Sequence, residues 1–75
     1  MLAYLLIGLN EGKEEDLLKK LEELQEVQEV HILFGEWDIM VKVETEDTES
    51  LGAFVIDKIR TLPGIKLTST LIVAK

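Results

Sequence analysis

Cysteine is absent from the 75 residues. This excludes disulfides, zinc–thiolate sites, iron–sulfur clusters and thiol catalysis. Histidine occurs once, at His31, without a second His or a set of carboxylates spaced around it. No metal centre and no cofactor are expected. Basic residues are in deficit: 8 Lys and Arg face 15 Asp and Glu, a formal net charge of −7. Nucleic-acid binders of this size cluster Lys and Arg to neutralise phosphates, so direct DNA or RNA binding by this chain is not expected. The longest apolar run, 1–9, is too short to span a bilayer, and no basic residue precedes it as a signal peptide requires. A cytoplasmic protein without membrane contact is the expectation.

What is present is a globular composition, 47% hydrophobic and 31% charged. The length allows one domain, residues 1–75. A core of this size supplies only about 3–5 kcal/mol. Without disulfide or metal, oligomerisation is the remaining staple. Few Asn and Gln, no Cys and abundant Glu and Lys point towards a thermophile.

Proline occurs once and glycine five times, so punctuation is sparse. Residues 1–9 read as a strand apolar on both faces, with Leu2, Tyr4 and Leu6 on one and Ala3, Leu5, Ile7 and Leu9 on the other. Residues 13–26 read as an amphipathic helix. Its stripe is Leu17, Leu18, Leu21 and Leu24, and Glu14, Glu15 and Asp16 complement the helix dipole. Residues 27–34 and 37–45 read as two strands joined at Gly35-Glu36 into an antiparallel hairpin. The second alternates cleanly, with Ile39, Val41 and Val43 on one face. N-cap residues at 45–48 precede a second helix over 49–62, with a stripe of Leu51, Phe54, Val55, Ile59 and Leu62. Pro63-Gly64 ends it, and the β-branched run 65–74 reads as the last strand.

The order β-α-β-β-α-β is the ferredoxin-like arrangement, an α+β fold. Right-handed crossovers put both helices on one face of a four-stranded antiparallel sheet. The other face has no cover within the chain, yet it carries apolar groups from the first strand, plus Met40. An open apolar sheet face predicts a partner, most simply a second copy packed sheet to sheet as a dimeric α/β barrel.

Catalytic constellations are missing. Ser50 and Ser69 lack a nucleophile-elbow context, and no Gly-rich phosphate loop is present. RNA-binding versions of this topology need central-strand aromatics, copper carriers need Cys-x-x-Cys, and small phosphatases need a basic cradle. The only arginine, Arg60, lies near a helix end. The chain is not expected to be an enzyme. A small enzyme of the dimeric barrel type would require a deep pocket holding His31 and a carboxylate. Two constellations remain: Gly35-Glu36-Trp37-Asp38 at the hairpin, and Pro63-Gly64-Ile65-Lys66-Leu67-Thr68-Ser69-Thr70 leading into the last strand. Asp38 could accept from an ammonium group, and the Thr/Ser run could bind a carboxylate, which together suit a free amino acid. The structural alternative has Gly35 making the turn, Trp37 filling an interface, Asp38 capping a backbone amide and the Thr/Ser run serving strand propensity.

From Phe34 to Val73 the sequence resembles the effector (RAM) domain of the Lrp/AsnC, or feast/famine, regulators. That domain reads G-x-aromatic-D, an alternating strand, an acidic turn, an amphipathic helix, L-x-G-[VI], then a T-x-T-like run. The first strand and helix fit as well. Family members carry a winged helix-turn-helix before this domain, whereas this chain starts directly at the first strand, as stand-alone members do. The resemblance implies sheet-to-sheet dimers, octamers or other rings of dimers, and amino acids bound at the junction between dimers. It places Gly35, Trp37, Asp38, Thr68, Ser69 and Thr70 at the ligand. Trp37 stands where Tyr is frequent, without the phenolic hydroxyl. The implied function is amino-acid sensing and oligomerisation that modulates transcription through mixed assemblies with full-length relatives, without DNA binding by this chain. The alternative is an oligomerisation module with no ligand.

Overall fold

The computed structural model describes residues 1–10 and 14–75. Lys13, the expected first residue of the first helix, lies outside them. In chain order the elements are β1 (Leu2–Leu9), α1 (Glu14–Glu22), β2 (Val27–Ile32), β3 (Ile39–Glu44), α2 (Thr48–Phe54, continued by a π-helical turn, Val55–Ile59) and β4 (Ile65–Ile72). The sheet order is β2-β3-β1-β4 with antiparallel pairing throughout. This is the ferredoxin-like arrangement, with the two apolar-rich strands in the centre and β2 and β4 at the edges.

The alternation in β1 and β3 decides which face is buried. Leu5 pairs with Val41 and Ile7 with Ile39. These residues, with Ala3 and Val43, are fully buried against Leu17 and Leu21 of α1 and Leu51, Phe54, Val55 and Ile59 of α2. Burying each of the Leu, Ile, Val and Phe side chains contributes roughly 1.5–3 kcal/mol. Both helices therefore cover one face. On the other, Leu67 and Leu71 stay 57% and 51% exposed, and Leu2, Tyr4, Leu6 and Met40 are half-buried.

Both helices are shorter than their apolar stripes. α1 ends at Glu22, because tight turns follow: Leu24 N–H donates to Leu21 O at 3.1 Å, and Val27 N–H to Leu24 O at 3.1 Å. Leu24 still packs on the core from outside the helix. α2 starts from Asp47, whose carboxylate accepts Ser50 N–H at 2.7 Å. After Phe54 it widens, and Arg60 N–H reaches back five residues to Val55 O at 2.9 Å. Leu62 thus packs on the core from beyond the helix. The strands are also trimmed. β2 ends at Ile32 and β3 begins at Ile39, which leaves Trp37 and Asp38 in the connection.

Two irregularities shape the sheet. β4 carries one extra residue against β1: Leu67 faces Gly8 and Ile65 faces Leu9, so Lys66 has no partner. Gln28 of β2 is skipped in the same way, between Val27 opposite Val43 and Glu29 opposite Lys42.

Candidate functional site

The two segments singled out in the sequence both reach the C-terminal end of β1. In the connection between β2 and β3, Gly35 takes φ 153°. Nothing lies within 4 Å of the position its Cβ would occupy, so the demand for glycine is conformational. Leu33 N–H donates to Asp38 O at 2.8 Å, and Asp38 N–H donates to Ile7 O at 3.0 Å. The Asp38 side chain then accepts the Leu9 N–H through Oδ2 at 2.8 Å. Its Oδ1 receives no protein donor among the described residues. Trp37 turns to the open sheet face. Its Cε3 lies 3.9 Å, and Leu67 Cβ 3.6 Å, from the position a Cβ on Gly8 would take. Gly8 and Leu67 therefore belong to this corner, although neither carries a polar group that could have drawn attention in the sequence.

From β4, Thr68 faces Ile7, Ser69 faces Leu6 and Thr70 faces Leu5. Thr68 and Thr70 share the helix-covered face, at its rim, while Ser69 points to the open face with Leu6. The fold brings Thr68 and Thr70 together and separates Ser69 from them. Val73 N–H bonds Leu2 O at 3.0 Å. Antiparallel alternation from that bond directs the backbone N–H and C=O of Thr68 and Thr70 outwards, to the free edge.

Thr68 also lines a cleft of about 340 Å³ with Arg60, Ile65, Lys66 and Leu67. The sequence places Arg60 near a helix end and Lys66 before the Thr/Ser run, and gives neither a ligand role. Arg60 joins the cleft because the widened turn of α2 ends there, and Lys66 because it is the unpaired bulge residue. His31 sits elsewhere, on the open sheet face, half exposed and 3.6 Å from Glu29, which Lys42 also reaches at 3.3 Å. Among the described residues no group of three or more His, Asp or Glu is placed to hold a metal ion, and no helix is long and apolar enough to cross a membrane.

Residues 2–75 match the family model described as the Lrp/AsnC ligand-binding domain. The chain is similar to the HTH-type transcriptional regulator FL11 of Pyrococcus abyssi, 37% identical over 75 residues, covering 100% of this chain and 49% of that protein. It spans about half the length of the curated relatives it matches. Among solved structures, FFRP-DM1 superposes with a TM-score of 0.92 at 40% identity, covering 96% of each chain. AsnC of E. coli superposes with a TM-score of 0.92 at 35% identity, covering 99% of this chain and 50% of that one.

Proposed function

The chain belongs to the Lrp/AsnC family, and from that premise we propose that it is a sensing domain which binds a free amino acid where copies meet. Asp38 takes the ammonium group. Gly35 and Trp37 shape the loop around it, and Thr68, Ser69 and Thr70 contribute from the neighbouring copy or from the same one. One observation carries this reading. Asp38 is fixed at one carboxylate oxygen by the Leu9 N–H, while the other oxygen keeps its acceptor capacity. A carboxylate held in this way is preorganised for a cationic donor.

Binding between copies favours the assembled state by mass action. The open apolar sheet face supports a sheet-to-sheet dimer as the unit that assembles further into rings. Since the curated relatives are HTH-type regulators, mixed assembly with such proteins would let the domain modulate transcription. Purification from cells with no such relative attached counts against that role.

Sedimentation velocity with and without the twenty amino acids tests the sensor. A dimer that shifts to a larger species supports it, and splitting the mixture then finds the ligand. A second reading, an oligomerisation module without a ligand, is favoured by the bond from Leu9 N–H to Asp38, because it gives Asp38 a purely structural task. Calorimetry separates the two: a sensor releases binding heat that Asp38→Ala removes with assembly intact, whereas the module has no affinity to lose.

A further inference from the structure

The cleft at the free edge of β4 is electrostatically anomalous for this protein. The chain carries a net charge of −7, yet two of its cations, Arg60 and Lys66, line one cleft with no carboxylate among the lining residues. Neither is in an ion pair with another described residue, whereas Lys42 and Lys58 are paired with Glu29 and Glu26. Lys66 owes its position to the β-bulge, a device that re-aims a side chain next to binding sites. Thr68 contributes a hydroxyl that bonds no described residue, and its backbone N–H faces the same free edge. The remaining walls are Ile65 and Leu67.

We propose that this cleft binds the carboxylate of a small aliphatic acid that carries no ammonium group. The Arg60 guanidinium offers a planar fork that matches a carboxylate in bidentate fashion. Lys66 and the Thr68 donors complete the coordination, and Ile65 offers a short hydrocarbon its apolar contact. A volume of about 340 Å³ is at the small end for ligand pockets. An amino acid fits less well, because its ammonium would face two cations and no Asp or Glu among the described lining residues. A phosphate dianion fits less well, because it has no hydrocarbon to set against Ile65. Asp38 does not line the cleft, and Thr68 is the one residue it shares with the amino-acid reading.

The test is a titration of 15N-labelled protein at constant ionic strength with sodium isobutyrate, followed at the Leu67 and Thr68 amides. Valine and inorganic phosphate are run in parallel. Saturable shifts are expected with isobutyrate. Valine should bind about tenfold more weakly. Arg60→Gln and Lys66→Gln should each weaken isobutyrate about tenfold, while Lys19→Gln, the same charge change on α1, should leave it unaltered. Both cleft side chains are exposed, so the variants keep the fold, and the Arg60 backbone bond to Val55 is retained. Absence of saturable shifts overturns the proposal. So do equal binding by the double variant, valine binding as tightly as isobutyrate, or phosphate binding more tightly.

Discussion

The Asp38 carboxylate accepts the backbone N–H of Leu9 at 2.8 Å, across 29 residues of chain. Leu9 lies beyond Ile7–Ile39, the last pair between β1 and β3. Its N–H points to the β3 side, as the Ile7 carbonyl does, and Asp38 satisfies an amide that no strand residue reaches. It also ties the β2–β3 connection to β1, beside the bond from Asp38 N–H to Ile7 O. One side chain therefore sets both the end of a central strand and the shape of a loop.

Replacing Asp38 should separate those roles. Asp38→Ala leaves the part-buried Leu9 N–H unpaired and should lower stability by about 1–3 kcal/mol. Asp38→Asn keeps an acceptor oxygen and should cost about half as much. Urea denaturation of the three proteins at one concentration checks the order. Equal stability of Asp38→Ala and the parent would mean that water takes over the amide.

Acid should weaken the domain through two carboxylates held in their ionised forms. The Asp47 carboxyl lies below its ordinary value of 3.8, because it accepts the Ser50 N–H at the start of α2. The Glu26 carboxyl lies below 4.5, chiefly through its hydrogen bond to Lys58 at 2.9 Å. A depressed folded-state value means that the unfolded chain binds the proton more readily. Stability from these groups is thus fully present above pH 4.5 and is lost as the pH falls through their folded values. Thermal melts between pH 2 and 7 should fall on the acid side, with a smaller fall for Asp47→Ala. Since Glu26–Lys58 is an exposed pair, raising the salt should remove part of its share.

The strands and the buried face were legible from alternation, because Leu5, Ile7, Ile39 and Val41 recur at every second position and the burial follows them. The helix ends were not. Leu21 and Leu24 satisfy an i, i+3 relation that a helix and a tight turn share, and only the hydrogen bonds distinguish them. The stripe from Leu51 to Leu62 conceals the widened turn for the same reason. At the site, the hairpin motif was legible through its glycine and acid. The grouping of Thr68, Ser69 and Thr70 overlooked the period of two that sends Ser69 to the opposite face. The bulge at Lys66 was not legible, because it depends on register with β1, which no local pattern in β4 records.

Two glycines should respond in opposite directions to alanine. Gly52 lies inside α2 with nothing within 4 Å of an added Cβ. Gly52→Ala should stabilise by about 0.5–1 kcal/mol, because alanine restricts the unfolded chain and suits a helix. Gly35 is just as open but holds φ 153°. Gly35→Ala should destabilise by about 1 kcal/mol. Paired chemical denaturation reads both. Since space is equal at the two sites, a difference in sign would isolate the backbone contribution.

The open sheet face yields the prediction on which the assembly argument depends. Leu71 is opposite Tyr4 in the sheet, on the face away from the helices, and half of it is exposed. A charge there touches no part of the core formed by Leu5, Val41 and Ile59. Leu71→Glu should leave the circular dichroism spectrum unchanged. In a sheet-to-sheet dimer the substitution buries an unpaired carboxylate and should shift the sedimentation coefficient to that of a monomer. A domain this small loses much of its stability with its partner, so melting should become lower and independent of concentration. Leu71→Glu that sediments as a dimer would place the contact on another surface, and the exposed Phe34 at the β2–β3 connection would be the next residue to substitute.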